Sequence, residues 1–174
     1  MSESKTRVYC FDSSIFITIN RINNIFPVPD IWNELDTLFK NGRLISHIYV
    51  YNEFQPGSQK SDFLGKWVKE RKKYFIHESE TQIKFVRQIL GRFNRLIDPN
   101  KERNQADPWI IALAMEKNKE NSLFGSNKDY TVVSRENTRS SVKIPAVCKA
   151  FNVPHLTMEQ FLGENGWRLG FIKD

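Results

Sequence analysis

Four acidic residues, Asp12, Glu53, Asp107 and Glu136, stand at comparable places in this 174-residue sequence, each where an apolar run meets the next element. Val8-Tyr9-Cys10-Phe11 stops at Asp12-Ser13-Ser14, and Asp107-Pro108 opens the apolar stretch Trp109-Ile110-Ile111-Ala112. Glu53 rides on a helical run with Tyr49 and Val50 that Ser46 is placed to cap, and Glu136 follows Val132-Val133-Ser134-Arg135. An acid at the carboxyl end of a first strand points into the crevice where open α/β sheets bind ligands. Carboxylates gathered from distant segments are the donors that hard divalent cations prefer. Two of them about 5 Å apart repel by roughly 3 kcal/mol at an effective dielectric near 20. Four together need a cation or protons to offset the charge.

Each acid also has an ordinary reading. Asp107 before Pro108 fits a helix N-cap with proline at the first helical position. Asp12 with Ser13 and Ser14 fits a cap on the first helix. Glu53 fits a solvated helix surface, and Glu136 a turn after a strand. Convergence of the four in space separates the two readings.

The elements that must position these acids alternate between strand and helix. After the first strand, Ile15 to Ile25 reads as a helix broken by Pro27-Val28-Pro29. Asp30 then caps a helix over Ile31 to Lys40, which stops at Asn41-Gly42. Leu44-Ile45-Ser46 is a short strand, and Pro56-Gly57 closes the run carrying Glu53. Helices are expected over about Gln59 to Phe75, Glu80 to Ile97 and Asn104 to Asn118. On the second, Ile83, Val86, Leu90, Phe93 and Ile97 share one face, while Lys84, Arg87, Arg92 and Arg95 take the other. A polar loop, Lys119 to Asp129, leads to the strand Tyr130-Thr131-Val132-Val133. The tail adds a helix from Pro145 to Phe151, a strand at His155-Leu156 and a helix from Met158 to Leu162. This pattern predicts one domain over 1–174, an α/β three-layer sandwich around a central, mostly parallel sheet. No Gly-rich phosphate fingerprint follows a strand, which argues against a dinucleotide or P-loop site.

Composition narrows the setting. The net charge is +6, and all of the excess lies between Gln59 and Arg103, with 12 Lys+Arg against 6 Asp+Glu; the rest of the chain balances at 14 against 14. A localised cationic excess favours an anionic partner. Cys10 and Cys148 lack a CxxC spacing and read as buried free thiols, and His47, His77 and His155 lack zinc-ligand spacing. With no apolar run of membrane-spanning length and no signal-peptide core, the expectation is a cytoplasmic, soluble protein with no membrane partner.

Taken together, the acids and their surroundings resemble the PIN-domain nucleases, which include the VapC toxins of toxin–antitoxin pairs. Tyr9-Cys10-Phe11-Asp12-Ser13-Ser14 resembles that family's opening strand followed by Asp and a small hydroxyl residue. Glu53 matches its helix-borne glutamate. Asn104-Gln105-Ala106-Asp107-Pro108-Trp109-Ile110-Ile111-Ala112 is similar to its Ala-Asp-x-x-Ile-Ala helix start. Val132-Val133-Ser134-Arg135-Glu136 resembles the strand ending in Thr-x-Asp, with Ser for Thr and Glu for Asp. The ending from Lys143-Ile144-Pro145 to Gly166-Trp167 resembles an uncharacterised PIN-like branch.

The resemblance implies an Mg²⁺- or Mn²⁺-dependent endoribonuclease leaving a 5′-phosphate and a 3′-hydroxyl. Asp12 and Asp107 then hold the first metal, Glu53 joins directly or through water, Glu136 completes the site, and Ser13 or Ser134 orients a water. The implied partners are single-stranded or structured RNA, an antitoxin protein and a second copy of the chain, with Ile31 and Trp32 as dimer contacts if they are not core residues. Lys66, Lys69, Lys72, Lys73, Lys84 and Arg87 are the candidate RNA-binding cations, with Trp67 and Tyr74 as interleaved stacking platforms or as core. The Glu136 departure motivates a second reading, a catalytically weak PIN-like binding or interaction module.

Overall fold

Along β1 (Thr6–Phe11) successive side chains enter two different cores, Tyr9 and Phe11 on one face and Cys10 on the other. A strand buried on both faces belongs inside a sheet covered by helices on each side. The structure is a computed structural model that describes residues 5–25, 31–55, 62–101, 105–136 and 138–167. It contains a five-stranded, all-parallel sheet in the order β3-β2-β1-β4-β5, with β2 at Leu44–His47, β3 at Phe75–Ile76, β4 at Lys128–Ser134 and β5 at His155–Thr157.

One helical layer comprises α1 (Ser13–Ile25), α2 (Ile31–Lys40), α3 (Ile48–Asn52), α4 (Asp62–Glu70) and α8 (Met158–Glu164). Its core is aromatic, with Phe16 in contact with Phe11, Phe39, Phe54, Trp67 and Phe75. The other layer holds α5 (Glu80–Arg92), α6 (Asp107–Phe124) and α7 (Ile144–Ala150). There Val86, Ile89, Ile110, Leu113, Val147 and Cys148 close over Cys10 and Val132. The α/β/α sandwich is therefore as expected, and Cys10 and Cys148 are buried free thiols.

Several boundaries differ from the sequence expectation. The helix expected to reach Phe75 ends at Glu70, and a 3₁₀ turn at Lys72–Tyr74 delivers β3, a two-residue strand too short to show alternation. The helix expected to reach Ile97 ends at Arg92 and is followed by a 3₁₀ turn at Asn94–Leu96. In place of the loop expected from Lys119, α6 continues to Phe124 and stops at Gly125, whose φ of 68° suits a residue without a Cβ. Asn118 makes that extension useful, because its amide both donates to the Tyr130 carbonyl and accepts from the Tyr130 N–H, at 2.8 and 2.9 Å.

His47, not Ser46, caps α3: its Nδ1 accepts the Tyr49 N–H, while the Ser46 hydroxyl donates to the Phe11 carbonyl. Ile31 is buried, and Trp32 packs on Phe63 and Trp67, so the proposed dimer contacts belong to the core layer. Trp67 is likewise buried and Tyr74 stacks on Phe39, which removes both as free stacking platforms. The expected Asp30 cap and the Pro56-Gly57 stop lie outside the described residues. Among the described residues, no helix is long and apolar enough to cross a membrane.

Candidate active site

Strand order reverses at β1, since β2 and β3 extend to one side of it while β4 and β5 extend to the other. That reversal opens a crevice beyond the carboxyl ends of β1 and β4, where open parallel sheets bind ligands. Asp12 stands at its floor, 4 % exposed, with its N–H donating to the Val133 carbonyl at 3.1 Å. One carboxylate oxygen, Oδ2, accepts the Ser14 N–H at 3.2 Å, so Asp12 does cap α1. The other, Oδ1, is buried with no hydrogen-bond partner. An unpaired buried carboxylate oxygen is costly and calls for a proton or a cation.

Asp107 is the first residue of α6, whose N-cap is Ala106 with no side-chain capping bond. Asp107 is therefore the first helical residue and not the N-cap of the ordinary reading. Burial pushes the Asp107 carboxyl up to about 8, with the negative charges of Asp12, Glu136 and Glu53 adding to the effect and Lys143 opposing it. Burial also pushes Asp12 up to about 6; the Ser14 hydrogen bonds oppose this, and the charges of Glu53 and Glu136 reinforce it. Both carboxyls are thus raised mainly by burial, and the negative charge of Asp12 adds to the rise at Asp107.

The four acids thus share one electrostatic neighbourhood, with unequal roles in it. Glu53 is exposed at the carboxyl end of α3. Glu136 is engaged: its Oε2 accepts the Ile144 N–H at 2.6 Å, and its Oε1 lies 3.5 Å from the Lys143 ammonium. Among the described residues, no three His, Cys, Asp or Glu side chains come close enough together to hold one ion. Coulomb coupling extends well beyond the roughly 2 Å of a metal–oxygen bond, so the four acids influence one another without three of them converging on one point.

The hydroxyls divide differently from expectation. Ser134 Oγ is tied to His155 Nε2 at 2.9 Å, whereas Ser14, which the sequence did not single out, supports Asp12 and accepts the Arg135 N–H through its own hydroxyl. Ser13 is half-buried beside Asp12 in the chain. Behind the crevice runs a buried polar chain that hydrophobic periodicity had no means of revealing. His47 Nε2 meets Gln82 Oε1 at 3.0 Å, Gln82 Nε2 donates to Glu116 at 2.6 Å, and the Ser79 hydroxyl also donates to Glu116. Because Nδ1 of His47 accepts a backbone N–H, the ring proton sits on Nε2 and points at Gln82.

The candidate RNA-binding cations are all exposed, but they fall in two groups. Lys66, Lys69, Lys72 and Lys73 extend from the α4 layer, and Lys84 and Arg87 from the α5 layer, on either side of the β3 edge. Arg71, between them in sequence, is locked to Asp36 by a two-point ion pair and lies over Trp67.

This arrangement agrees with comparison to known proteins. Residues 9–169 match the family described as "Domain of unknown function (DUF4411)". The chain belongs to that family. The structure of this DUF4411 domain is similar to a chain in the crystal structure of VapBC2 from Rickettsia felis bound to a DNA fragment from their promoter. The match has a TM-score of 0.50 and 16% identity, and covers 86% of this chain and 98% of that one. At that identity the likeness concerns the fold, and the fold of the DUF4411 domain is PIN-like. No curated protein matches the chain.

Proposed function

We propose that this DUF4411 domain is a metal-dependent ribonuclease that hydrolyses RNA phosphodiester bonds, with Asp12 and Asp107 at its centre. The observation that carries this reading is the buried, unpartnered Oδ1 of Asp12 at the reversal of strand order, where burial and the Asp12 charge raise the Asp107 carboxyl. The donor set fits Mg²⁺ or Mn²⁺, because Mg²⁺ is commonly held by one or two carboxylates and keeps several waters. Asp12 and Asp107 would hold the ion, with Glu53 joining from the exposed side. Bound there, the ion would activate water and neutralise charge developing on the phosphate. The chain's own contribution is to fix Asp12 through Ser14, to set Asp107 at the start of a rigid 18-residue helix, and to keep one side of the pair dry. Glu136 acts from the rim, through its charge and its grip on Lys143. RNA would approach over the exposed Lys66, Lys69, Lys72, Lys73, Lys84 and Arg87.

The experiment is cleavage of a mixed-sequence RNA in Mn²⁺ by the wild type, Asp12→Asn and Asp107→Asn. Cleavage by the wild type, reduced at least 100-fold in both variants, supports the reading; equal cleavage by all three would sink it. The engagement of Glu136 with Ile144 and Lys143 favours one alternative, a PIN-like module that binds nucleic acid or protein with little catalysis. That module would leave RNA intact in every divalent ion tried, whether it binds RNA or a protein. The likeness to a VapBC2 chain supports a toxin role with an antitoxin partner, which predicts growth arrest on expression and relief by a co-expressed small neighbouring protein.

A further inference from the structure

A crevice lined by Asp12, Glu53, Asp107 and Glu136 repels the polyanion it is proposed to cut. Opposed unit charges of like sign about 4 Å apart cost roughly 4 kcal/mol at an effective dielectric near 20. A cation of the chain at the acids themselves would offset that repulsion before any metal ion binds, and the exposed lysines of α4 and α5 belong to the β3 side of the molecule. Lys143, the residue before α7, is so placed. Its ammonium lies 3.5 Å from Glu136 Oε1, and its charge opposes the upward shift of Asp107. The second oxygen of Glu136 is fixed by the Ile144 N–H at 2.6 Å, so the carboxylate that holds the lysine is itself held by the backbone.

A second cation at this end of the sheet, Arg135, is turned towards α1. Arg135 gives its backbone N–H to the Ser14 hydroxyl and its guanidinium to Thr18 on α1. Lys143 is different. Its side chain is 48% exposed, and Glu136 is its ion-pair partner among the described residues. An ammonium has three N–H donors, and one acceptor at a distance longer than a formed hydrogen bond leaves donors facing solvent. A half-exposed lysine whose ammonium rests beside one carboxylate and keeps donors free is a point-charge receptor for a phosphate.

Resting on the nuclease reading above, we propose that Lys143 is the phosphate-binding residue of this site, held by Glu136 beside Asp12 and Asp107 so that an RNA backbone phosphate seats against its ammonium. Glu136 is then a positioning residue, which explains why its oxygens face Ile144 and Lys143.

The test uses the full chain with Lys143→Ala, Lys143→Gln and Lys143→Arg, and measures binding of a fluorescent oligouridine in EDTA over a salt series alongside Mn²⁺-dependent cleavage. The Ala and Gln variants should bind about tenfold more weakly at low salt. The slope of log affinity against log salt should be shallower by about 0.7, the loss of one single-strand phosphate contact. Lys143→Arg should retain both the affinity and the slope. A purely structural lysine would change the urea midpoint without changing the slope. Unaltered affinity and slope in Lys143→Gln, or a wild type that binds no RNA, overturns the proposal. If the wild type shows Lys143-dependent binding but no cleavage, the nuclease reading fails and Lys143 stands. If Lys143→Gln binds and cleaves as the wild type does, Lys143 fails and the nuclease reading stands.

Discussion

The His47 imidazole stacks on the Trp109 indole, with ring centroids 5.4 Å apart and planes 25° from parallel. Tyr49 meets the same indole edge-on at 4.8 Å. This contact joins the end of β2, from which the Glu53 segment departs, to the first turn of α6, two residues after Asp107. Two acids that are 54 positions apart in sequence, 107 less 53, are thus attached to one packed unit.

Trp109→Ala should therefore destabilise the protein by about 3 kcal/mol, from lost contact area and the resulting void. Urea unfolding followed by circular dichroism measures this. If Trp109 also sets the separation of the acids, the variant should lose most of the thermal stabilisation that Mn²⁺ gives the wild type; unchanged stabilisation would place Asp107 without its help.

Replacing the Asp107 carboxyl by an amide has two opposite consequences. In metal-free protein at pH 8, Asp107→Asn should raise the melting temperature, because Asp12 then faces a neutral amide in place of a carboxyl driven towards ionisation. Adding Mn²⁺ should stabilise the wild type and leave the variant unmoved. Differential scanning calorimetry with and without Mn²⁺ reads both, and a variant stabilised by Mn²⁺ as fully as the wild type would exclude Asp107 as a ligand.

The polar chain behind the crevice should be intolerant of Gln82→Leu. The substitution strands the buried Glu116 oxygen and the His47 N–H, at a cost of roughly 2–4 kcal/mol. A urea midpoint within experimental error of the wild type would show that water replaces the lost partners.

Acid should weaken the fold through two histidines. Burial pushes His47 down to about 4, against an opposing Gln82 hydrogen bond, and burial pushes His155 down to about 4. Both are neutral in the folded protein at a pH where the unfolded chain protonates them near 6.5. Their contribution is complete above pH 6.5 and is lost as pH falls towards 4. Urea midpoints should fall across that window, and His155→Gln should flatten the fall; a variant with the wild-type slope would remove His155 as a cause.

The cationic rows should act on binding and leave the fold alone. Lys84→Glu with Arg87→Glu changes two exposed side chains, so the unfolding free energy from urea titration should change by no more than about 0.5 kcal/mol. RNA affinity in EDTA should drop about tenfold or more at low salt. The corresponding change at Lys66 and Lys69 tells which side of the β3 edge the strand follows.

Much of this architecture is legible in the amino-acid order because its signals are local. Val8 to Phe11 are apolar on both faces, Asn41-Gly42 stops a helix, and an acid at the end of a hydrophobic run marks the rim of a parallel sheet. Those features place Asp12 and Asp107 at strand and helix ends before any coordinates exist. A two-residue β3 carries no periodicity, and the polar stretch from Lys119 reads as a loop until Asn118 is seen bonding to Tyr130 and the helix is seen to run on to Phe124.

What tertiary structure alone decided is the state of each oxygen. Asp12 gives Oδ2 to Ser14 and leaves Oδ1 unpaired, Asp107 begins its helix one position after the N-cap, and Glu136 turns to Ile144 and Lys143. The sequence determined which residue types reach the crevice, because periodicity and chain breaks act over a few residues. Their bonding depends on desolvation and on charges delivered by segments far away in the chain, and these exist only once the layers have packed.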